Sequence, residues 1–259
     1  MLFDTHAHLT SEKLSNETDL LVQRAKDENV LAIMNICTDE ASLEKGLILE
    51  EKYPSFIYNA ASTTPHDVEK EGSSFFPIVK EKALSKKLKA VGETGLDYYY
   101  THSEKKIQKD YFIRYLHLAL ESNLPVIIHC REAFSDFFEI VDAEYKDKNN
   151  RYGPLVLHCF TGTIKEAEEV LKRGFYLSLS GIVTFKNSIE LKEVAKLTPL
   201  SQLLIETDAP YLAPHPLRSK VNEPAFIKYT ASEIAFLKNI SFETLTQQTT
   251  KNAKAFFNL

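Results

Sequence analysis

The chain has 259 residues, of which 44% are apolar and 26% are charged, so it can bury a sizeable core as an ordinary globular protein does. A formal net charge of −5 argues against a protein that coats nucleic acid through a general basic surface. No apolar run reaches the roughly 18 residues that span a bilayer, and the N-terminus lacks the regions of a signal peptide. We therefore expect one cytoplasmic domain over residues 1–259, with its three cysteines as buried free thiols.

Short apolar runs alternate along the chain with amphipathic stretches of helical spacing. Eight runs are predicted as buried strands: Leu2–His8, Leu31–Cys37, Phe56–Ala61, Ala90–Leu96, Pro125–Cys130, Pro154–Phe160, Phe175–Gly181 and Leu203–Thr207. Predicted helices include Glu17–Asn29, Glu40–Lys52, Lys105–Asn123, Ala133–Lys146, Ile164–Arg173 and Ser188–Lys196, with two more in the tail over residues 224–257. Helix caps are predicted at Thr38 or Asp39, Ser103, Thr163 and Ser241. Eight alternations predict an α/β fold, a (β/α)8 TIM barrel, with an open doubly wound sheet as the alternative.

The first predicted strand ends in two histidines, His6 and His8, that are separated by one residue. Side chains two positions apart on a strand point the same way, so both imidazoles can face one end of the barrel. Active sites of such barrels lie at the C-terminal ends of the strands. The pair therefore suggests a shared metal ion, although two partly exposed or core histidines would leave the same pattern.

The fourth predicted strand carries a carboxylate, Glu93, between two glycines in an otherwise apolar run. Burying a carboxylate without a partner is costly. A pair of metal ions would offset that cost, because one carboxylate can bridge two ions. A salt bridge to a neighbouring lysine or arginine is the alternative.

The fifth, sixth and eighth predicted strands also end in residues that can bind metal. His129 and His158 each follow an aliphatic run, and such a histidine alone is more often a satisfied core residue than a ligand. Two at equivalent places on neighbouring strands favour ligands. In the last strand Asp208 would reach the barrel mouth, and Glu206 would lie one layer deeper. Imidazole together with carboxylate suits Zn, Mn, Fe or Co, whereas Mg prefers oxygen ligands alone.

Seven segments of the chain, in order, resemble the motifs of the TatD family of metal-dependent deoxyribonucleases, within the wider amidohydrolase-like barrels. They are residues 3–9, 91–98, 125–133, 157–162, 180–187, 205–214 and 222–224. The resemblance implies two divalent cations (Mg, Mn or Zn) about 3.5–4 Å apart. It implies that His6, His8, Glu93 and Asp208 hold one ion, and that Glu93 bridges to a second ion held by His129 and His158.

The resemblance also implies a function. The expected enzyme hydrolyses phosphodiester bonds of single-stranded DNA or frayed ends, including 3′-to-5′ exonuclease action, through a metal-activated water. Glu93 or Asp208 would be the catalytic carboxylate. DNA is the one expected partner, with neither a membrane nor a protein partner inferred. A hydrolase of a small ester, lactone or amide on the same barrel is the alternative, and a non-catalytic binding protein is the third interpretation.

Two further residues, His66 and Arg131, are candidates for substrate contact. The family usually carries Gly-x-His-Pro-His after the third strand, where this chain has Thr64 in place of the first histidine and keeps the second as His66. His66 would orient a substrate phosphate or lie in a surface loop. Arg131 would donate to a phosphate oxygen or form a salt bridge with Glu132. The tyrosines at residues 98–100 would stack on bases or pack between barrel and helices.

Overall fold

Eight parallel strands form one sheet in the computed structural model, which describes residues 1–100 and 102–259. The strands follow one another in chain order around the sheet, so each pairs with the next. They are β1 (Leu2–Ala7), β2 (Val30–Cys37), β3 (Ile57–Ala61), β4 (Ala90–Asp97), β5 (Val126–Arg131), β6 (Leu155–Leu157), β7 (Tyr176–Leu179) and β8 (Leu203–Ile205). Each predicted apolar run thus overlaps a strand, although β6, β7 and β8 are shorter than predicted.

The sheet closes into a barrel between its first and last strands. Ala7 and Ala209 form a parallel bridge. The backbone N–H of His8 donates to the carbonyl of Ala209 at 2.7 Å, and that of Asp208 donates to the carbonyl of His6 at 2.9 Å. The prediction of a (β/α)8 barrel is confirmed, and the open sheet is not what the chain adopts.

Helices follow the strands around the outside of the barrel. They are α1 (Thr18–Asp27), α2 (Glu40–Lys52), α3 (Val68–Leu84), α4 (Lys105–Ser122), α5 (Phe134–Glu144), α6 (Ile164–Lys172), α7 (Ile189–Leu197), α8 (Ile227–Leu237) and α9 (Phe242–Phe257). The sequence pattern gives no bounds for α3, because Pro77 lies inside it and proline normally ends a helix. Among the described residues, no helix is long and apolar enough to cross a membrane.

Three of the predicted helix caps are confirmed. The side chains of Asp39, Thr163 and Ser241 each accept a hydrogen bond from the backbone N–H three residues later, at the starts of α2, α6 and α9. The predicted cap at Ser103 is wrong, because α4 begins after Glu104, which has no side-chain cap. The Ser103 hydroxyl instead donates to the carbonyl of His66 at 2.8 Å. The Ser103 hydroxyl therefore bonds to the loop after β3 and does not cap α4.

The last helix covers one end of the barrel. Phe256 and Phe257 of α9 pack in one buried cluster with strand residues that include Phe3, Ile127 and Leu204. Phe3 and Leu204 lie near the N-terminal ends of their strands, so α9 closes that end. The C-terminal ends of the strands remain free for the polar residues described next.

Candidate metal centre

The six residues predicted as metal ligands converge at the C-terminal ends of five strands. They are His6 in β1, His8 just after it, Glu93 in β4, His129 in β5, His158 just after β6, and Asp208 in the loop beyond β8. Five of them line a single cavity of about 820 Å³, and His6 lies fully buried below it. Closing the barrel is what brings β1 and β8, which are distant in the chain, to the same rim.

Four of these side chains form a first donor set. The Nε2 atom of His6 lies 3.4 Å from Oε2 of Glu93 and 3.8 Å from Oδ1 of Asp208. The Nε2 atom of His8 lies 3.6 Å from each of the same two oxygens and 3.3 Å from Nε2 of His6. Tetrahedral ligands with bonds of about 2.1 Å stand roughly 3.4 Å apart. The spacing of the His6, His8 and Glu93 donor atoms therefore fits one metal ion, and Oδ1 of Asp208 lies within 3.8 Å of both histidines.

A second donor set shares Glu93 with the first. Its Oε1 atom lies 3.1 Å from Nδ1 of His129 and 2.9 Å from Nε2 of His158. The two imidazole nitrogens are 3.3 Å apart. Glu93 thus directs one oxygen towards each donor set, and both sets contain residues that can bind a metal ion. Three protein donors would leave a coordination position for water or substrate.

The electrostatics of the centre hold its carboxylates in the charged form. Burial acts to raise the pKa of Glu93, but attraction to His158 and hydrogen bonds from the surrounding histidines hold it well below its ordinary value. Burial of Asp208 is likewise outweighed by its hydrogen bond with His8, so its pKa is lowered. Burial lowers the pKa of His6 and favours the neutral imidazole, whose lone pair can bind a cation. Both carboxylates are thus ready to bind metal.

Asp97, a carboxylate for which the sequence predicts no role, orients one of the histidines. Its Oδ2 atom lies 2.8 Å from Nε2 of His129. Because a carboxylate only accepts, Nε2 of His129 is the donor in this contact, which turns Nδ1 of the ring towards Glu93. The sequence did hold a signal, since Asp97 lies four residues after Glu93 and hence on the same face of β4.

Glu206 supports the other histidine of the second donor set. It is fully buried, as predicted from its place one layer below Asp208. Its Oε1 atom lies 3.3 Å from Nδ1 of His158 and accepts a hydrogen bond from the backbone N–H of Cys159 at 2.7 Å. This contact directs Nε2 of His158 towards Glu93.

The two candidate substrate residues lie in the wall of the same cavity. His66 places Nε2 3.5 Å from Oδ2 of Asp97, so it is not confined to a remote surface loop. The guanidinium of Arg131 lies 3.8 Å from the centre of the Tyr99 ring. Among the described residues Arg131 forms no ion pair, so the expected alternative of a salt bridge with Glu132 is absent. Its donors therefore stay available at the cavity.

Two sequence features near the centre are also clarified. The hydroxyl of Thr64, at the position of the usual family histidine, donates to Asp67 at 3.0 Å and belongs to neither donor set. The three cysteines are free, as expected, but only Cys37 is fully buried. Cys130 and Cys159 are half-buried because they lie at strand ends that face the cavity.

The chain is similar over its whole length to known metal-dependent hydrolases and nucleases. The family model described as TatD related DNase matches residues 3–258. A Bacillus subtilis protein described as an uncharacterized metal-dependent hydrolase is 42% identical over the full length of both chains. A protein of Erwinia tasmaniensis described as a 3′-5′ ssDNA/RNA exonuclease TatD is 33% identical, again over 100% of both chains. A solved TatD homologue from Escherichia coli is similar with a TM-score of 0.88 and 25% identity, covering 100% of this chain and 98% of that one.

Proposed function

Because the chain belongs to the TatD family and is a metal-dependent hydrolase, we propose that it is a nuclease that cleaves single-stranded DNA or frayed ends. The proposed direction is 3′ to 5′, from an exposed terminus. The observation that carries the proposal is the sharing of Glu93 between two donor sets at the floor of an open cavity. A site for two cations is suited to in-line displacement at a phosphodiester.

The proposed ligands are those whose donor atoms lie together. His6, His8, Glu93 and Asp208 would hold one divalent cation, and Glu93, His129 and His158 would hold the second. The mixture of imidazole and carboxylate favours Zn or Mn over Mg, which prefers oxygen ligands alone. When bound, the two cations would lower the pKa of a water molecule and neutralise charge on the phosphoryl oxygens.

Asp208 is the residue that we assign to proton transfer. Both oxygens of Glu93 face histidine nitrogens, so this carboxylate is fully engaged. Asp208 directs only Oδ1 towards His6 and His8, and within the described part of the chain its Oδ2 accepts no hydrogen bond. Asp208 also lines the cavity. Its free oxygen can therefore take a proton from the attacking water and return it to the leaving oxygen.

Arg131 and His66 are proposed to hold the substrate phosphate. The Arg131 guanidinium lies 3.8 Å from the centre of the Tyr99 ring, a contact that does not neutralise its charge. A guanidinium fork matches the geometry of two phosphate oxygens. His66 stands beside His129, with ring centres 5.6 Å apart, and can donate from the side of the second donor set. Arg131 provides positive charge at the cavity of a chain whose net charge is −5. Burial lowers the pKa of His66, so His66 contributes as a neutral hydrogen-bond donor.

The test is cleavage of an end-labelled single-stranded oligonucleotide by protein stripped with chelator and reloaded with Mn, Zn or Mg. Stepwise shortening should return with metal and disappear in Glu93→Gln and Asp208→Asn. The control variant Glu139→Gln alters an exposed carboxylate of α5 and should cleave like the wild type. A metal-loaded protein that leaves the oligonucleotide intact but hydrolyses a small ester or lactone would contradict the proposal.

A further inference from the structure

Two half-exposed tyrosines, Tyr100 and Tyr211, stand in the wall of the cavity that holds the candidate metal centre. Their exposed fractions are 44% and 50%. Single exposed aromatic residues on a surface are ordinary. Tyr100 and Tyr211, however, face the same cavity and lie beside the two donor sets. This placement favours a ligand with a flat apolar face.

The tyrosines stand beside different donor sets, which share Glu93. The Tyr211 ring packs edgewise against His8 of the first donor set, with ring centres 5.8 Å apart. The Tyr100 ring packs against His66 at 5.6 Å, and His66 in turn packs against His129 of the second donor set at 5.6 Å. A group bound over Glu93 would therefore have one tyrosine on each side.

Each tyrosine is also tied to the metal centre through its backbone. The N–H of Tyr100 donates to Oδ1 of Asp97 at 2.9 Å, and the other oxygen of Asp97 orients His129. The N–H of Tyr211 donates to the carbonyl of Asp208 at 2.9 Å. The backbone at both tyrosines is thus held relative to the donor sets, which lowers the entropy lost when a ligand stacks on the rings.

The negative net charge of the protein makes base stacking more important for binding a nucleic acid. With a net charge of −5, the chain has little general attraction for a phosphate backbone. Near the two tyrosines, Arg131 lies 5.1 Å from the Tyr100 ring and Lys13 lies 5.6 Å from the Tyr211 ring. Stacking must therefore supply a larger share of binding than it does in a basic nuclease.

We propose that Tyr100 and Tyr211 are nucleobase platforms on the two sides of the scissile phosphate. The inference rests on the proposed nuclease function and adds to it how the substrate is held. With the phosphate over Glu93, the nucleoside on one side stacks on Tyr211 and the nucleoside on the other side stacks on Tyr100. Every base offers a flat face, so this recognition tolerates any sequence but requires a base on both sides of the cleaved bond.

The experiment uses full-length protein and three single-stranded oligonucleotides of one sequence. One is intact, one has an abasic residue at the 3′ terminus, and one has it at the penultimate position, so that each abasic residue flanks the terminal phosphodiester on a different side. For the wild type, each abasic residue should lower kcat/KM for the first cleavage by about tenfold to a hundredfold. Tyr100→Leu and Tyr211→Leu should lose as much on the intact oligonucleotide.

The decisive measurement is whether kcat/KM of each leucine variant still falls when the abasic residue is placed at each of the two positions. Each leucine variant should be insensitive to one abasic position and keep its sensitivity to the other, with the two positions exchanged between the variants. Tyr100→Phe and Tyr211→Phe keep the ring and should therefore keep the sensitivity to both abasic positions. Phe236→Leu removes an aromatic ring that is 80% exposed on α8, outside the cavity, and should change nothing.

The outcomes separate this inference from the function on which it rests. If abasic residues lower kcat/KM equally in the wild type and in both leucine variants, the proposal of nucleobase platforms is wrong, whereas the proposed nuclease function is unaffected. The same holds if abasic residues do not slow the wild type. Failure of the metal-loaded wild type to cut the intact oligonucleotide overturns the nuclease function and the platforms together. Metal content equal to that of the wild type shows that a slow leucine variant is folded at its centre.

Discussion

The carboxylate of Asp97 lies 2.8 Å from the imidazole of His129, and it joins this histidine to the loop that follows β4. Its second oxygen accepts the backbone N–H groups of Tyr99 and Tyr100 at 3.0 and 2.9 Å. One buried side chain therefore contacts both a candidate metal ligand and the backbone of two neighbouring tyrosines, of which Tyr100 lines the cavity. Conserving the volume of Asp97 while removing its charge would disturb both.

Asp97→Asn should weaken metal binding at the second donor set. Loss of a carboxylate partner of a ligating histidine typically costs about tenfold to a hundredfold in metal affinity. Competition with a chromophoric zinc chelator would measure the loss. The control Asp110→Asn changes an exposed carboxylate of α4 and should bind as the wild type does. Equal affinity in Asp97→Asn and wild type would show that the carboxylate does not act through His129.

Arg131→Ala should reduce the salt dependence of binding to single-stranded DNA. Each phosphate contact contributes about −0.7 to the slope of log K against log salt concentration. Binding measured by anisotropy in chelator, where no cleavage occurs, should lose about one such contact. Arg114→Ala is a matched control, because Arg114 also lies over a tyrosine, Tyr111, but on α4 outside the cavity. A slope unchanged by Arg131→Ala argues against a phosphate contact.

Removal of metal should destabilise the fold. A ligand that binds only the folded state stabilises it by about 2.7 kcal/mol at a concentration one hundred times its Kd. We expect the melting temperature to rise when Mn or Zn is added to chelator-treated protein. Glu93→Gln weakens both donor sets and should show a much smaller rise. Identical melting curves with and without metal would mean that the clustered donors bind no ion in the folded protein.

The ion pair of Asp142 with Arg173 should make stability depend on acid pH. Two hydrogen bonds from the Arg173 guanidinium, both at 2.8 Å, lower the pKa of Asp142 from 3.8 to about 2. A depressed pKa contributes stability that is present above pH 4 and is lost as the pH falls towards 2. Because Asp142 is partly exposed, the expected contribution is only about 0.5–1 kcal/mol.

The measurement is urea unfolding of wild type and Asp142→Asn at neutral and acid pH. The variant should be less stable at pH 7, and the difference between the two proteins should shrink between about pH 4 and pH 2. A difference that stays constant over this range would show that the carboxylate charge of Asp142 does not stabilise the fold.

The sequence predicts the barrel and the convergence of the six candidate ligands at one rim because both depend on local pattern. His129 and His158 each end an aliphatic run, and the C-terminal ends of parallel strands meet at one rim. The contacts of Arg131 were not predictable, because the position of Tyr99 depends on the loop after β4. Ser103 fails as a cap for a similar reason, since its hydroxyl is used by a loop far away in the chain.

Two-metal catalysis is tested most directly by following DNA cleavage as metal-free protein is titrated with Mn, at protein concentrations well above the metal dissociation constants. Because Glu93 lies within reach of both donor sets, we expect cleavage to rise in a sigmoidal manner and to reach its plateau at two equivalents of metal per chain. A plateau at one equivalent, or cleavage that needs no metal, would contradict two-metal catalysis.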